Sequence, residues 1–554
     1  MGEQLCEACG VNQVPTLAPH RAGDLSPLTV LAQGPHSLDA TGKVMQQVLR
    51  VPNERLLTGP VGARLEVVVV GARGRRENQI LGNGDWGASD VPPALESAGL
   101  PIDRRFLAQQ AYAVAAHTLA SFERALGRRM SWANGGRLTL YANDKIAYQN
   151  TGYTRSDCSI RFGLIEDSRH QHKLPLVLYR DLVAHEVTHA VLDGYRPRWA
   201  DAQAGADQLA LHEALADLLA MLGVFAAESV VEKLISSQLA LSGTPLESID
   251  SMLLASGLFS FADNLFSHGR AARDPLSGVP PTNWRTDVEP HRRAAGVVHA
   301  VLATVLRLWR AELGRPGGRA SINQVARSGA QIGQRVLNMI LRGLSYMAPV
   351  DVSWEDLLRG ILAADAVVVP QDERNYRGTL RACFSEVGII VDPQVTMDGM
   401  SALQHLNYPI RLSALGADPD EVLRFIWDNP VLMNAAKIDP TARIIVDRVR
   451  PSLRLSPDGF TVAEIEASFV QELRLTQSAA RKLGLRCSSA VLLRGGGMLR
   501  FDEGGRLSFA ALKPVLDVQR QQLLIDGADA ALIAAQRIGA SMFHPPAESV
   551  APAS

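Results

Sequence analysis

The spacing of hydrophobic and polar residues predicts a mainly helical chain that also contains strands. Apolar residues recur every three or four positions in several stretches, which is the period of a helix with one buried face. We therefore predict helices at 103–126, 182–195, 209–219, 228–241, 321–347, 353–366 and 372–387. Shorter runs rich in β-branched and aromatic residues predict strands. They lie at 44–70, 136–144, 147–163 and 174–180.

The pattern changes near Asp392-Pro393, which reads as a linker. Beyond it we predict a helix near 419–427, β-prone runs at 442–456 and 490–512, an amphipathic stretch at 462–475 and a helix at 515–537. The fold class predicted from these patterns is α+β, with a separate C-terminal α/β domain. The predicted division is a flexible tail at 1–40, a β-rich segment at 41–100, an α/β lobe at 101–204, a helical lobe at 205–390 and the C-terminal domain at 391–554.

Composition narrows the range of partners. Lys and Arg total 56 and Asp and Glu total 57 in 554 residues, so the net charge of −1 provides no electrostatic attraction for nucleic acid or an anionic membrane. No run of about 18 apolar residues predicts a membrane span. The first residues lack the pattern of a secretory signal, and five cysteines fit a reducing compartment better than a disulfide framework. We therefore expect a cytoplasmic protein.

The motif H-E-x-x-H at 185–189 is the strongest chemical signal in the chain. Residues four apart lie on one face of a helix, so the imidazoles of His185 and His189 can bind one ion. Glu186 leans toward the same side, where its carboxylate suits a general base. The alternative is a buried helix whose histidines are hydrogen-bonded packing residues.

A catalytic zinc site with three protein ligands needs one more group from elsewhere in the chain. Glu213 is the best candidate, since it lies on the next helical segment, LALHEALADLL at 209–219. Asp217 follows one turn later and could accept the free ring N–H of a histidine ligand, which would fix the orientation of that ring. The predicted cofactor is one Zn²⁺ ion held by His185, His189 and Glu213.

VAHEVTHAVLD at 183–193 and HEALAD at 212–217 resemble the two zinc-binding helices of thermolysin-like peptidases, a group of the gluzincins. The resemblance covers roughly residues 100–390. It implies a two-lobed core, in which the motif helix lies along the floor of a cleft and the second lobe is mainly helical. It also implies an edge strand that pairs with an extended peptide substrate. By this analogy, we expect substrate contacts near Asn150 and Tyr153.

Thermolysin-like peptidases also use a histidine near a helix start, oriented by an upstream carboxylate, to stabilise the oxyanion of the tetrahedral intermediate. The segment TDVEPHRRAAGVVHAV offers His291, at the predicted helix entry, and His299, inside the helix. We favour His291, because groups that meet substrate usually come from the ends of elements. Asp287 is the predicted orienting carboxylate.

These residues together predict a zinc metallopeptidase that hydrolyses a peptide or protein substrate, with Glu186 as general base. The alternative is a relative that is catalytically silent or cleaves a non-peptide amide, and whose C-terminal domain binds a partner.

Overall fold

The computed structural model describes most of the chain, with gaps. The described residues are 25–39, 41–54, 56–57, 59–70, 104–144, 150–167, 172–200, 205–242, 283–313, 321–392, 403, 405–408, 412–456 and 459–527. Most of the predicted tail, part of the β-rich segment and the last part of the helix predicted at 515–537 lie outside these residues. The architecture is a mixture of helices and strands, which confirms the α+β class at that level.

A two-stranded antiparallel sheet begins the described chain. Strands β1 (Leu25–Leu31) and β2 (Gln46–Pro52) pair along their whole length. The prediction of a flexible tail over 1–40 is therefore wrong for β1. Leu28 and Val30 are fully buried, and their contribution to the core outweighs the Pro- and Gly-rich context that suggested a loose segment.

A four-stranded sheet has the order β3-β4-β6-β5. Its strands are β3 (Leu65–Val68), β4 (Leu138–Tyr141), β5 (Thr151–Thr154) and β6 (Ser159–Phe162). The first three in that order are parallel, and β5 joins antiparallel at the edge. A hairpin of β7 (Leu164–Asp167) and β8 (His172–Pro175) then leads to the motif helix.

Eight helices of the described chain precede residue 391. They are α1 (Arg104–Leu126), α2 (Arg180–Tyr195), α3 (Ala206–Phe225), α4 (Glu228–Ser242), α5 (Pro290–Leu313), α6 (Ile322–Gly343), α7 (Trp354–Val368) and α8 (Tyr376–Glu386). The predicted helices are confirmed, with ends shifted by a few residues. One hydrophobic core runs from Leu28 to Ile389, so the β-rich segment and both predicted lobes share it.

The remaining described residues have a core of their own, from Leu403 to Leu512. Four long antiparallel strands form a sheet in the order β12-β11-β10-β9. These are β9 (Arg443–Leu455), β10 (Thr461–Leu475), β11 (Val491–Asp502) and β12 (Leu507–Lys513). Short helices flank the sheet: α9 (Leu412–Ala417), α10 (Asp420–Asp428), α11 (Pro430–Ala435), α12 (Gln477–Lys482) and α13 (Val518–Asp526).

A buried group of charges joins this sheet to the end of α2. Glu466 of β10 lies 2.6 Å from Arg196 Nη2 and 2.9 Å from Arg128 Nη2, and its side chain is 1 % exposed. Arg500 of β11 also faces Glu466, at 3.9 Å, and donates a hydrogen bond to the Ser345 carbonyl. The C-terminal sheet therefore contacts the rest of the protein through ion pairs that are shielded from water.

Among the described residues, helices α3 and α5 are long and apolar enough to cross a membrane by length and composition alone. Within their most apolar windows, 94 % of α3 and 61 % of α5 are buried inside the protein. Helices at the centre of a packed core pass the same test, and both helices contribute to the main core.

Candidate metal site

Helix α2 presents two imidazoles to one point. All of its 16 residues are buried, and His185 and His189 lie on the face that meets α3. Their Nε2 atoms are 3.0 Å apart, as the four-residue spacing on a helix predicts.

Helix α3 brings a carboxylate to the same point. Glu213 Oε2 lies 3.3 Å from Nε2 of His185 and 3.3 Å from Nε2 of His189. The three side chains are buried, between 0 % and 6 % exposed. Their ligand atoms form a group that could hold a metal ion.

The donor set and its spacing fit a zinc ion. Zinc binds imidazole nitrogen and carboxylate oxygen at about 2.0–2.2 Å with tetrahedral geometry, which puts neighbouring ligand atoms roughly 3.3–3.5 Å apart. The observed separations of 3.0, 3.3 and 3.3 Å are close to that. Glu213 Oε2 is also buried without a hydrogen bond of normal geometry from the described residues. Such an oxygen lacks the stabilisation that a bound cation would supply.

The two histidines of the candidate metal group differ in their outer partners. His185 Nδ1 lies 2.9 Å from Asp217 Oδ1, the contact that would direct its Nε2 lone pair toward the ion. Burial lowers the pKa of His185, but Asp217 and Glu213 outweigh burial and raise that pKa to about 9. Among the described residues, no carboxylate pairs with Nδ1 of His189; its ring instead stacks parallel to the buried ring of His212 at 5.9 Å.

Charge also favours an ionised Glu213. Burial raises the pKa of Glu213, but His291 and His189 lower it well below its ordinary value. A carboxylate that stays ionised can bind a cation without first losing a proton.

Glu186 is buried beside the two histidines and has one oxygen held and one oxygen open. Its Oε2 accepts the backbone N–H of Tyr153 at 2.9 Å. Its Oε1 is buried and has no hydrogen-bond partner among the described residues. Burial raises the pKa of Glu186, against the lowering effect of His185 and His189. A raised pKa makes a carboxylate a better proton acceptor, which is what a general base requires.

Of the two histidines considered in helix α5, the structure brings His291 to the site. His291 Nδ1 lies 3.2 Å from Glu213 Oε2, and its side chain is 21 % exposed, more than either histidine of α2. His299 lies two turns further along α5, where its charge acts on Glu386. His291 is therefore the one placed to meet a molecule entering the site.

The structure does not bring Asp287 to the His291 ring. Asp287 Oδ1 instead accepts the backbone N–H of Glu289 at 3.0 Å. The carboxylate of Glu289 accepts the backbone N–H groups of His291 and Arg292, at 3.1 and 2.8 Å, which caps the start of α5. The orienting role assigned to Asp287 has no contact to support it.

The two predicted substrate contacts lie on or beside the edge strand β5. The Asn150 side chain accepts the N–H of Thr151, and its carbonyl accepts the N–H of Gly163. The backbone N–H of Tyr153 points away from β6, toward the free edge of the sheet, and donates to Glu186. One backbone donor of this edge is therefore already engaged by a residue of the candidate site. Whether either residue contacts a substrate stays a prediction.

Sequence reasoning missed Asp193, two turns after Glu186 on α2. Its Oδ2 accepts the Tyr153 hydroxyl at 2.8 Å, and its Oδ1 pairs with Arg155 at 2.6 Å. Asp193 thereby ties both ends of the Tyr153–Arg155 segment to the helix. The seven-residue spacing from Glu186 was the available signal, because residues seven apart share a helix face.

A scan against protein-family models and a search of the curated proteins found no match to this chain. Its function is therefore inferred from the chemistry of the site.

Proposed function

We propose that this protein is a zinc-dependent metallopeptidase with a core like that of the thermolysin-like peptidases. The observation that carries the proposal is the convergence of His185, His189 and Glu213 within 3.3 Å of one another, beside a buried carboxylate with one open oxygen. Packing histidines would hydrogen-bond to separate partners. Here the ring nitrogens and the Glu213 oxygen face a common point.

His185, His189 and Glu213 would hold the zinc ion, with Asp217 orienting His185. When bound, zinc supplies Lewis acidity, which makes a water molecule more acidic and a carbonyl carbon more electrophilic. The remaining chemistry belongs to side chains of this chain.

Glu186 accepts one proton from the attacking water through Oε1, while Tyr153 N–H holds Oε2 in place. The water oxygen forms the new bond to the carbonyl carbon. The C–N bond then breaks, and Glu186 returns the proton to the leaving amine nitrogen. His291, the more exposed imidazole, donates a hydrogen bond to the oxyanion that forms between these steps.

The test combines metal analysis with a peptide-library assay on the full chain. We expect one zinc per chain and cleavage that stops when a chelator removes the metal and returns when zinc is restored. Glu186→Gln should keep the zinc and reduce turnover by at least about 100-fold, the contribution of a positioned general base. Glu386→Gln is the control, because Glu386 is 48 % exposed, pairs with Arg307 and belongs to α8, which contributes no residue to the candidate site.

Two results would refute the proposal. Retained turnover in zinc-loaded Glu186→Gln would remove the base from the mechanism. Stoichiometric zinc with no cleavage, and with a chelator affecting only stability, would favour the catalytically silent alternative.

A further inference from the structure

A polar groove lies on the outer face of helix α6. Its volume is about 540 Å³, within the range of about 300–1,000 Å³ typical of small-ligand sites. Six polar side chains of α6 line it: Arg327, Gln331, Gln334, Arg335, Asn338 and Arg342. Their spacings of three and four residues put them on one face of the helix.

The groove is remote from the candidate metal site. Ala226, at the end of α3, lines the groove and lies 13 positions after Glu213 (226 − 213). At 1.5 Å per residue, this separation is roughly 20 Å along the helix. A molecule in the groove is therefore not a ligand of the candidate metal group.

The positive charges in the groove are only partly neutralised. Arg327 pairs with Glu228 at 3.3 Å. Within the described part of the chain, neither Arg335 nor Arg342 forms an ion pair or a side-chain hydrogen bond. The nearby Asp365 carboxylate is engaged by Arg377, at 2.9 Å.

The two unpaired guanidinium groups are held rather than free in solvent. Arg335 stacks on the ring of Tyr376, 3.9 Å from its centre. Arg342 Nε is buried and lacks an acceptor among the described residues. Burial lowers the pKa of Arg342; the Asp365 carboxylate opposes this shift and the Arg335 charge adds to it. Two like charges held close together with an unsatisfied donor are unfavourable, and an anion would relieve both costs.

We propose that this groove binds a small phosphate monoester, with Arg335 and Arg342 contacting the phosphate. A phosphate monoester carries close to two negative charges at neutral pH, which suits two guanidinium groups that have no ion-pair partner among the described residues. The planar guanidinium also presents paired N–H donors that fit phosphate oxygens. Gln331, Gln334 and Asn338 offer donors and acceptors to the hydroxyl-bearing remainder of such a ligand.

The experiment measures equilibrium binding of glycerol 3-phosphate to the full, metal-free chain by titration calorimetry. Metal-free protein excludes coordination of the phosphate by zinc. We expect one saturable site with a dissociation constant below about 1 mM at low salt, weakening as salt increases. Arg342→Gln should weaken binding by about 10- to 100-fold, as expected for loss of a charged hydrogen bond. The double variant Arg335→Lys, Arg342→Gln should bind still more weakly.

Arg359→Gln is the matched control, because this α7 arginine pairs with Asp356 and does not line the groove. It should bind glycerol 3-phosphate like the unmodified chain. Thermal unfolding of each variant checks that the fold is retained, and Arg335→Lys keeps the charge over Tyr376. Absence of saturable binding to the unmodified chain, or equal affinity in Arg342→Gln, would overturn the proposal. Succinate binding as tightly as glycerol 3-phosphate would overturn the assignment to phosphate.

Discussion

Replacing Glu466 by glutamine tests whether the C-terminal sheet is joined to the rest of the protein by truly buried charges. The carboxylate is 1 % exposed and lies 2.6 Å from Arg196 and 2.9 Å from Arg128. Glutamine keeps the shape of the side chain and removes its charge. Among the described residues, the variant leaves the buried Arg128 without an ion-pair partner, and it leaves Arg196 with only the more distant Asp447, at 4.0 Å.

The structure sets the size of the effect. Burial raises the pKa of Glu466, but Arg128, Arg196 and Arg500 outweigh burial and lower it to about 2, from an ordinary value of 4.5. At about 1.4 kcal/mol per pKa unit, this difference contributes roughly 3 kcal/mol to the free energy of unfolding. Because the folded pKa is the lower one, that stability is fully present above pH 4.5 and is lost as the pH falls toward 2. Breaking buried ion pairs generally costs about 3–5 kcal/mol, which agrees.

The assay is denaturant unfolding at neutral pH, with Glu386→Gln as the matched control. Glu386 also pairs with an arginine, Arg307, at 2.6 Å, but both side chains are nearly half exposed. We expect Glu466→Gln to lower the free energy of unfolding by about 3 kcal/mol and Glu386→Gln by less than about 1 kcal/mol. Equal, small losses in the two variants would refute the reasoning, because they would mean that water screens Glu466 as it screens a surface pair.

Three further predictions concern the metal site and the main core. Asp217→Asn should weaken zinc binding by about 10- to 100-fold, measured by competition with a chelator, because the outer partner of His185 is lost; unchanged affinity would contradict the contact. Asp193→Asn should lower turnover without changing zinc content, because it releases Tyr153, whose N–H holds the proposed base; loss of zinc instead would show a different role. Burial and two nearby arginines lower the pKa of His117 to about 4, below its ordinary 6.5. Because His117 takes up a proton more readily in the unfolded chain, the free energy of unfolding should fall by about 2 kcal/mol between pH 7.5 and pH 5. In metal-free protein, His117→Leu should remove that part of the pH dependence of unfolding, and an unaltered dependence would contradict the assignment.

The features that follow from local periodicity could be predicted from the sequence. The positions of His185 and His189 on one face of α2 depend only on helical geometry, and most helix boundaries fall within a few residues of the predicted ones. The approach of Glu213 requires α3 to pack against α2, which spacing alone does not specify. His291 rather than His299 lies beside Glu213 because of where α5 begins, since its first turn faces Glu213; the catalytic role of His291 stays a prediction.

The features that depend on distant parts of the chain could not be predicted. Arg196 and Glu466 are separated by 270 residues, and neither lies in a motif that predicts burial of a charge. Arginine and glutamate side chains are usually exposed to solvent unless they are paired. The burial of Arg196 and Glu466 can therefore be predicted only once each is known to be the partner of the other. Strand β1 was missed for a similar reason, because its pairing with β2 supplies the burial that its local composition does not indicate.

The buried charges at the end of α2 have a physical cause. The carbonyl end of a helix carries partial negative charge, and water normally satisfies its last carbonyl groups. The end of α2 is covered by protein, so cations take the place of water: Arg448 of β9 donates to the Gly194 carbonyl at 2.8 Å, and three arginine guanidinium groups lie within 5.5 Å of the Tyr195 ring centre. Those cations in turn need a buried anion, which Glu466 supplies from the neighbouring strand. The C-terminal sheet has its own hydrophobic core, yet its side chains cover the C-terminal end of α2, the helix that carries both histidines of the candidate metal group. The sheet and that group therefore belong to one structural unit, although 230 positions (443 − 213) separate Glu213 from the first residue of the sheet.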